Sequence, residues 1–537
     1  MIWIKQVLAQ KEKRNKTLFW LLFIIGAMLR LGWLGIVPDG GALNQDEAFG
    51  GYEAWSLLHY GIDSHGYAWP VYLVTWGSGM SALNSYLMIP FIAVFGLTPV
   101  AIRLPQAIVS CASLYVVYRL LKEHYSDCIA LVGLGILAVV PWHIMLGRWG
   151  LDCNLLPGFM LFGLYFALKG IEKSKYFLLA GIFYGLSLYC YATVWPVMPI
   201  IVVGMMCMIL IYKKGHVDKW FWLGLLLLAL LAIPLILFCL LNYDIIPECK
   251  LGLLSIPKLT ARRSVEIKIH TWEWKRNFLD AIQMFIKADD GNPWNSIPRF
   301  GLYYKGGLVL AVIGLAVMLV RTLRNPKVHL LDIGIMIQGF AGCVLASLIS
   351  TNFNRVNVIH IPIVYCMVQG ICFVTVTLWK SIKTRWSQAC SIGISVVAVA
   401  FYLTSLVLFL HAYTGEYNAY WRKMYHRGLN QAVLQAEKEK SSNGTIYVTD
   451  VLYPKLLVAA QYPANQFVDT VVYRDETAEF LDPESFTGYH MGDMKSGMQK
   501  PGDVMVCGTW NEDVATYLDS LGYDKHIFED YALYIVQ

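Results

Sequence analysis

Apolar runs long enough to cross a lipid bilayer recur along most of this 537-residue chain. A membrane-spanning helix needs about 20 consecutive, mostly apolar residues. Only 15% of the residues are charged and 57% are hydrophobic, whereas about 25% are charged in soluble domains. The sequence therefore predicts an α-helical polytopic membrane protein with about eleven transmembrane helices. The predicted spans are residues 17–37, 100–121, 127–146, 153–170, 176–192, 195–212, 220–241, 304–320, 331–350, 357–379 and 388–410.

Basic residues are concentrated in alternate loops between these spans. They occur in the amino-terminal segment and in residues 119–122, 169–175, 213–219, 321–327 and 380–385. Because cytoplasmic loops carry an excess of Lys and Arg, these loops are predicted to lie inside the cell. The net charge of +6 is therefore explained by basic residues that membrane topology requires in these loops. We therefore predict a multi-pass protein of the cytoplasmic membrane and no nucleic-acid partner.

Residues 82–97 are apolar, but they are too few for an ordinary span and they include Pro90. If this segment crossed the membrane, every later basic loop would fall outside the cell. The charge distribution therefore favours an interfacial or re-entrant helix. On this reading, a first loop (38–99), a second large loop (242–303) and a tail face the outside.

The tail differs in character from the membrane part. Residues 422–440 have a helical pattern, while residues 445–449 and 503–507 resemble strands. We predict a transmembrane domain at 1–410 and a small extracytoplasmic α/β domain at 411–537.

Asp46 and Glu47 open the first outer loop. Carboxylates at the membrane surface can act as a general base or bind a divalent cation. The alternative is that they are solvated or cap the helix predicted after them. Spacing alone leaves both interpretations open.

Three arginines stand at the outer ends of predicted spans, namely Arg103, Arg148 and Arg355. A single arginine there usually reaches the lipid headgroups. Several of them, together with outward carboxylates, favour a site that binds an anion such as phosphate. Asp152 follows Arg148 by four residues, so the two side chains would pair if the segment were helical.

Further polar and aromatic residues are predicted to line the same cleft. Tyr191 and Trp195 stand in an outer hairpin, where such residues are usually interfacial but can also stack on a sugar ring. Asp63 and His65 lie in the first loop. One histidine without a matching cluster does not define a metal site.

Taken together, these motifs resemble the GT-C glycosyltransferases, more narrowly the family-39 group that includes protein O-mannosyltransferases and the lipid A aminoarabinose transferase. The resemblance covers about residues 17–380. It rests on the Asp46-Glu47 pair and on four later elements, which are Leu87–Gly96 before Arg103-Leu-Pro105, Arg148-x3-Asp152, Tyr189-x-Tyr191, and Asn354-Arg355-x-Asn357 with Pro362.

The resemblance implies a polyprenyl-phosphate sugar donor and an acceptor hydroxyl outside the cytoplasmic membrane. It implies Asp46 as catalytic base with Glu47 beside it. It also implies that Arg103, Arg148 and Arg355 hold the lipid phosphate, and that Asp152 orients Arg148 or the acceptor. The acceptor can be a lipid, a glycan or a protein, and a divalent cation remains a candidate cofactor.

Two other functions are compatible with the sequence. A transporter or flippase of a lipid-linked sugar would place ionisable groups near the bilayer midplane, whereas here they gather at one end of the spans. A non-catalytic membrane protein that binds a wall polymer is the other alternative.

Overall fold

The computed structural model describes residues 2–213, 217–262, 273–381, 385–492, 494 and 497–537. Most of the described chain is helical up to Ala412. Helices α1 to α15 are, in chain order, Ile2–Leu31, Gln45–Tyr60, Leu83–Phe95, Pro99–His124, Asp127–Val139, Pro141–Leu146, Leu156–Glu172, Tyr176–Ser187, Met198–Tyr212, Lys219–Asn242, Trp274–Lys287, Gly307–Arg324, Leu330–Leu348, His360–Ser381 and Arg385–Ala412.

Each predicted span coincides with helical structure. By length and composition, seven helices of the described chain could cross a membrane. The predicted span 127–146 is broken, because Val140 is extended (ψ 134°) and Pro141 begins a new helix, α6. Proline lacks an N–H and disfavours the helical conformation of the preceding residue. The short helix α3 corresponds to the segment predicted to be interfacial, and its position in the membrane stays a prediction.

The tail is an α/β domain, as predicted. Its helices α16 to α20 are Asn418–Met424, Leu429–Glu439, Tyr453–Ala460, Ala464–Thr470 and Glu512–Ser520. Two short hairpins in the outer loops supply β1 to β4, which are Tyr72–Leu73, Met80–Ser81, Lys250–Leu251 and Leu254–Ser255. The strands of the tail, β5 to β11, are Ile446–Val448, Val472–Tyr473, Pro483–Phe486, Tyr489–Met491, Val504–Gly508, Asp524–Phe528 and Tyr531–Ile535.

The tail strands form one sheet in the order β10-β11-β9-β5-β8-β7-β6. Strand β5 pairs in parallel with β8 and β9, and the other neighbours are antiparallel. The two strands predicted from sequence, 445–449 and 503–507, are β5 and β9. They are fully buried, which explains their nearly continuous apolar pattern.

The α/β domain packs directly on the first loop. The Tyr52 hydroxyl of α2 donates to the Tyr462 carbonyl oxygen at 2.7 Å, and the Leu481 N–H donates to the Trp76 carbonyl oxygen at 2.8 Å. Phe49 of α2 contacts Tyr453 edge to face, with ring centroids 5.2 Å apart. The first loop and the tail therefore share one hydrophobic core, and this core fixes the position of α2.

Candidate active site

Helix α2 begins with the acidic pair. Asn44 is its N-cap, and the Asn44 side chain accepts a hydrogen bond from the Asp46 N–H at 2.8 Å. The Glu47 carboxylate accepts from the Asn44 N–H at 3.1 Å, which completes a capping box. Glu47 is fully buried, whereas the Asp46 side chain is exposed. The two neighbours therefore have different surroundings.

Arg103 binds Glu47 and Asp39 in a buried charge cluster. Its Nε and Nη2 donate to the two Glu47 carboxylate oxygens, each at 2.7 Å, and Nη2 also contacts Asp39 Oδ2 at 2.7 Å. All three side chains are 0% exposed. The remaining nitrogen, Nη1, donates to the Leu34 carbonyl oxygen at 3.2 Å. All three nitrogens of the guanidinium thus already have hydrogen-bond partners.

This geometry does not fit two of the predicted roles. Arg103 has no free edge with which to bind a lipid phosphate. Glu47 accepts hydrogen bonds from Arg103, from Asn44 and from the Gly150 N–H (2.7 Å), so it has no room for a substrate proton. The geometry therefore favours a structural role, in which Arg103 and Glu47 join α4, α2 and the loop that follows α6. Their predicted phosphate-binding and catalytic roles stay predictions.

Arg148 also has a structural role. Its Nη1 donates to the Leu29 carbonyl oxygen at 3.0 Å, and its Nη2 donates to the Val37 carbonyl oxygen at 3.1 Å. A cation at the end of α1 satisfies carbonyl groups that have no partner within the helix. The predicted pairing with Asp152 is wrong, because residues 147–151 are not helical. The two terminal nitrogens of Arg148 therefore bind backbone carbonyl oxygens at and just after the end of α1, whereas its buried Nε has no partner among the described residues. Its predicted contact with the lipid phosphate stays a prediction.

The loop that carries Asp152 is held rigidly. Glu47 accepts from the Gly150 N–H, and Asn84 donates to the Gly150 carbonyl oxygen at 2.7 Å. Gln106 donates to the Leu151 carbonyl oxygen at 2.6 Å. A Cβ atom at Gly150 would lie 2.9 Å from Ile102 Cγ2 and 3.0 Å from the Ile102 carbonyl oxygen, so this close approach requires glycine.

This rigid loop places Asp152 near Asp46. The Asp152 carboxylate accepts from the Ser81 N–H at 3.2 Å and from the Cys153 N–H at 2.7 Å. Asp46 and Asp152 are both close enough to the Cys153 thiol to interact with it electrostatically. Two carboxylates thus lie in one region, one on α2 and one after α6. Within the described residues, no group of three or more metal-ligating side chains occurs.

Arg355 is the predicted arginine that keeps a partly exposed side chain. Its Nη1 donates to the Ser350 carbonyl oxygen at 3.0 Å, and its N–H donates to Asn352 Oδ1 at 2.8 Å. The neighbouring Asn357 donates to the Cys153 carbonyl oxygen at 2.9 Å. This bond ties the loop of Arg355 to the segment that carries Asp152. Arg355 is therefore the strongest remaining candidate for an oxyanion ligand.

Asp63 and His65 belong to a buried turn. Asp63 Oδ1 accepts from the His65 N–H at 2.9 Å and from the Tyr67 N–H at 2.8 Å. Glu53 lies beside them and accepts from the Ser64 N–H at 2.8 Å. Burial raises the pKa of Glu53 to about 8, with a further contribution from the Asp63 charge, and burial raises the pKa of Asp63 to about 7.

Burial lowers the pKa of His65 to about 4, so this imidazole is neutral. Asp63 is 0% exposed. The Asp63 carboxylate is therefore enclosed in the turn, whereas His65 is half-buried, and the predicted contact of both residues with the acceptor stays a prediction.

The hairpin of Tyr191 and Trp195 packs against the first loop. Trp195 Nε1 donates to the Leu188 carbonyl oxygen at 2.8 Å, and its ring lies 5.7 Å from that of Tyr72. The Tyr189 carbonyl oxygen accepts from the Leu83 N–H at 3.2 Å. The side chains of Tyr191 and Trp195 are half-buried. Their predicted contact with a sugar stays a prediction.

Trp76 is a candidate site residue that the sequence analysis did not identify. Its Nε1 donates to Asp46 Oδ1 at 3.4 Å, and its backbone has a φ of 59°, in the left-handed region that is rare outside glycine. The tail holds this conformation, because Leu481 binds the Trp76 carbonyl oxygen and Tyr453 packs on its ring. The signal in the sequence was the glycine-rich turn Thr75-Trp-Gly-Ser-Gly79.

Comparisons with known proteins agree with this architecture. Residues 81–238 match the family model described as dolichyl-phosphate-mannose-protein mannosyltransferase. No curated protein matches the chain by sequence. The matched region runs from the end of the first loop through α10, and it includes Asp152 and the loop that Glu47 holds.

Solved structures extend the likeness to the whole chain. ArnT from Cupriavidus metallidurans in the apo state is similar at a TM-score of 0.55 and 12% identity, over 98% of each chain. The same protein bound to undecaprenyl phosphate gives a TM-score of 0.52, with the same identity and coverage.

A second solved protein shows the same architecture. It is the oligosaccharyltransferase AglB from Archaeoglobus fulgidus, in complex with an inhibitory peptide and a dolichol-phosphate. The TM-score is 0.52 at 12% identity, over 84% of this chain and 64% of that one. At such identity the likeness concerns the fold. The chain is a membrane protein with the GT-C glycosyltransferase fold.

Proposed function

We propose that this protein is a membrane glycosyltransferase that moves a sugar from a polyprenyl-phosphate donor to an acceptor hydroxyl at the outer face of the cytoplasmic membrane. The observation that carries the proposal is the exposed Asp46 carboxylate in a rigid frame. The Arg103–Glu47–Gly150 contacts fix both α2 and the loop of Asp152. Such fixed geometry is what positions a catalytic group against its substrate.

The reaction is a single displacement at the anomeric carbon of the donor. Asp46 accepts the proton of the acceptor hydroxyl while the acceptor oxygen bonds to the anomeric carbon. The bond from that carbon to the phosphate oxygen breaks, and the polyprenyl phosphate leaves with the electron pair. Arg355 stabilises the departing phosphate, and Asp152 orients the acceptor. One displacement inverts the anomeric configuration.

Further arguments support the donor class and the outward orientation of the site. ArnT is bound to undecaprenyl phosphate and AglB to a dolichol-phosphate in their solved structures. The outward orientation rests on the basic loops, which should face the cytoplasm. A sugar outside the cytoplasm must arrive already activated, and a lipid phosphate serves as a leaving group that diffuses within the membrane. Hexosyl and pentosyl donors, and lipid, glycan or protein acceptors, all fit this chemistry.

The test uses Asp46→Asn. Residue 46 enters the cap of α2 through its backbone N–H, while Glu47 supplies the carboxylate of the capping box. The substitution should therefore leave folding and insertion intact. Because general base catalysis contributes about 10²–10⁴-fold, we expect transfer to fall by at least about 100-fold. The matched control is Asp469→Asn, an exposed carboxylate on α19.

The assay is transfer of radiolabelled sugar from a panel of polyprenyl-phosphate hexoses and pentoses by the purified protein in proteoliposomes. Wild-type rates in Asp46→Asn would refute the role of Asp46. If the wild-type protein transferred and hydrolysed none of the donors but moved labelled lipid across the bilayer, the flippase function would replace the proposed one.

A further inference from the structure

A cavity of about 300 Å³ with a mixed polar and apolar lining lies between the first loop and the α/β domain. On one side its walls are the backbone after α1 (Gly40 and Gly41) and Pro99 at the start of α4. On the other side are Arg427, Lys455 and the first turn of α17. These walls include neither Asp46, Asp152 nor Arg355, so the cavity is built from other residues than the candidate active site.

Two cations line this cavity without a carboxylate partner. Lys455 donates a hydrogen bond to the Tyr425 carbonyl oxygen, and its ammonium lies over the Tyr425 ring, 5.4 Å from the centroid. Arg427 is exposed. In the part of the chain that the structure describes, neither residue takes part in an ion pair.

Glu529 also lines the cavity, and the carboxylates at and around it are already paired with other groups. Glu529 lies 3.0 Å from Arg422, and Asp530 binds His426 (3.1 Å) and the Gly428 N–H (2.9 Å). Asp39 and Glu47, which also act on Lys455, are held by Arg103. Burial lowers the pKa of Lys455 to about 8. A desolvated cation of this kind is stabilised when an anion binds beside it.

The amino terminus of α17 opens into the same cavity. Leu429, Asn430 and Gln431, its first turn, line the wall. Gly428 is the N-cap and provides no side chain to accept from these N–H groups. A Cβ atom there would lie 1.9 Å from the Phe528 carbonyl oxygen, so close packing against β10 excludes a capping side chain. The N–H groups of a first helical turn and the helix dipole both favour an anion.

The cavity also lies beside the predicted membrane surface. Gly35 and Pro99 lie at the ends of α1 and α4 that face the α/β domain. Trp33 is 77% exposed and Ile36 is 54% exposed on the same segment. Exposed aromatic and apolar side chains next to a span end are typical of the headgroup region of the bilayer. A ligand carried by a lipid could therefore reach this cavity from the membrane.

We propose that this cavity is a second anion site, which binds the phosphate of an anionic phospholipid headgroup through Lys455, Arg427 and the first turn of α17. The site would anchor the α/β domain to the membrane surface and does not depend on the proposed transfer reaction. A free phosphate ion has the same binding chemistry, and the experiment separates these two sources.

The test measures binding to the purified full-length protein in detergent. The probes are a short-chain phosphatidylglycerol, a phosphatidylcholine with the same chains, and inorganic phosphate. The variant is Lys455→Gln/Arg427→Gln. The matched control, Lys438→Gln/Lys500→Gln, removes the same charge from exposed positions of the same domain. Because a hydrogen bond to a charged group contributes about 1.5–3 kcal/mol, each lost cation should weaken binding by about tenfold or more.

We expect phosphatidylglycerol to bind more tightly than phosphatidylcholine, and Lys455→Gln/Arg427→Gln to lose this preference while the control keeps it. Equal affinity for inorganic phosphate and phosphatidylglycerol, lost in the same variant, would keep the anion site but overturn the lipid as its source. Binding that survives in Lys455→Gln/Arg427→Gln, or falls equally in the control, would overturn the site itself. Circular dichroism of each variant identifies any loss caused by misfolding, and Lys455→Arg, which keeps the charge, should retain binding.

Discussion

Replacing Arg103 with methionine separates a structural role from phosphate binding. The substitution keeps an unbranched apolar stem but removes the hydrogen bonds to Glu47 and Asp39. Both carboxylates are 0% exposed, so they would remain buried without a counter-ion. Breaking a buried ion pair by removing one partner costs about 3–5 kcal/mol. Since Glu47 also holds the loop at Gly150, the loss should reach the Asp152 segment.

The assay compares thermal unfolding in detergent with donor affinity in the folded fraction. We expect Arg103→Met to lower the unfolding temperature strongly while the surviving folded protein binds the donor with nearly unchanged affinity. Arg103→Lys should recover only part of the stability, because an ammonium cannot form the two parallel bonds to Glu47. The control is Arg355→Gln, which should weaken donor binding with little change in unfolding temperature. The reasoning would fail if Arg103→Met unfolded like the wild type and lost donor binding.

Two further predictions concern pH and topology. The folded protein keeps protons on Glu53 and Asp63, whose pKa values burial raises to about 8 and about 7, whereas the unfolded chain loses them near pH 4. Stability should therefore fall as pH rises from about 4 to about 8. Glu53→Gln should make the unfolding temperature depend less steeply on pH across this range. A pH dependence as steep as that of the wild type would contradict this prediction. Alkaline phosphatase, which needs an oxidising compartment, should be active when fused after Gln537 and inactive when fused after Lys213. The opposite pattern would reverse the proposed orientation.

The fold could be predicted largely because membrane insertion leaves strong local signals. Apolar length identifies a span and basic loops identify its orientation, and both are read without knowing which helices touch. The break at Val140–Pro141 was also visible in principle, since proline disfavours helix at the residue before it. The packing of the α/β domain on α2 was not visible. It depends on contacts such as Tyr52 with Tyr462, which are 410 positions apart.

The partners of the candidate site residues could not be predicted, because an arginine or a carboxylate looks the same in a sequence whether it binds a ligand or another side chain. Arg103 meets Glu47 across 56 positions and Asp39 across 64, so no local pattern indicates that its charge is already balanced. Arg148 was expected to pair with Asp152 through helical spacing, but the helix ends before that pair. Its partners are instead carbonyl oxygens at the end of α1.

Asp46 and Glu47 are adjacent in sequence but have different surroundings in the structure. Consecutive residues of a helix point about 100° apart, so Asp46 and Glu47 cannot both face the same cleft once α2 is packed. Glu47 is the third residue of α2, the position from which a carboxylate can reach back to the Asn44 N–H, and it turns inward to Arg103. Asp46, one position earlier, is left exposed. The buried carboxylate stabilises the frame, and the exposed one is the proposed proton acceptor.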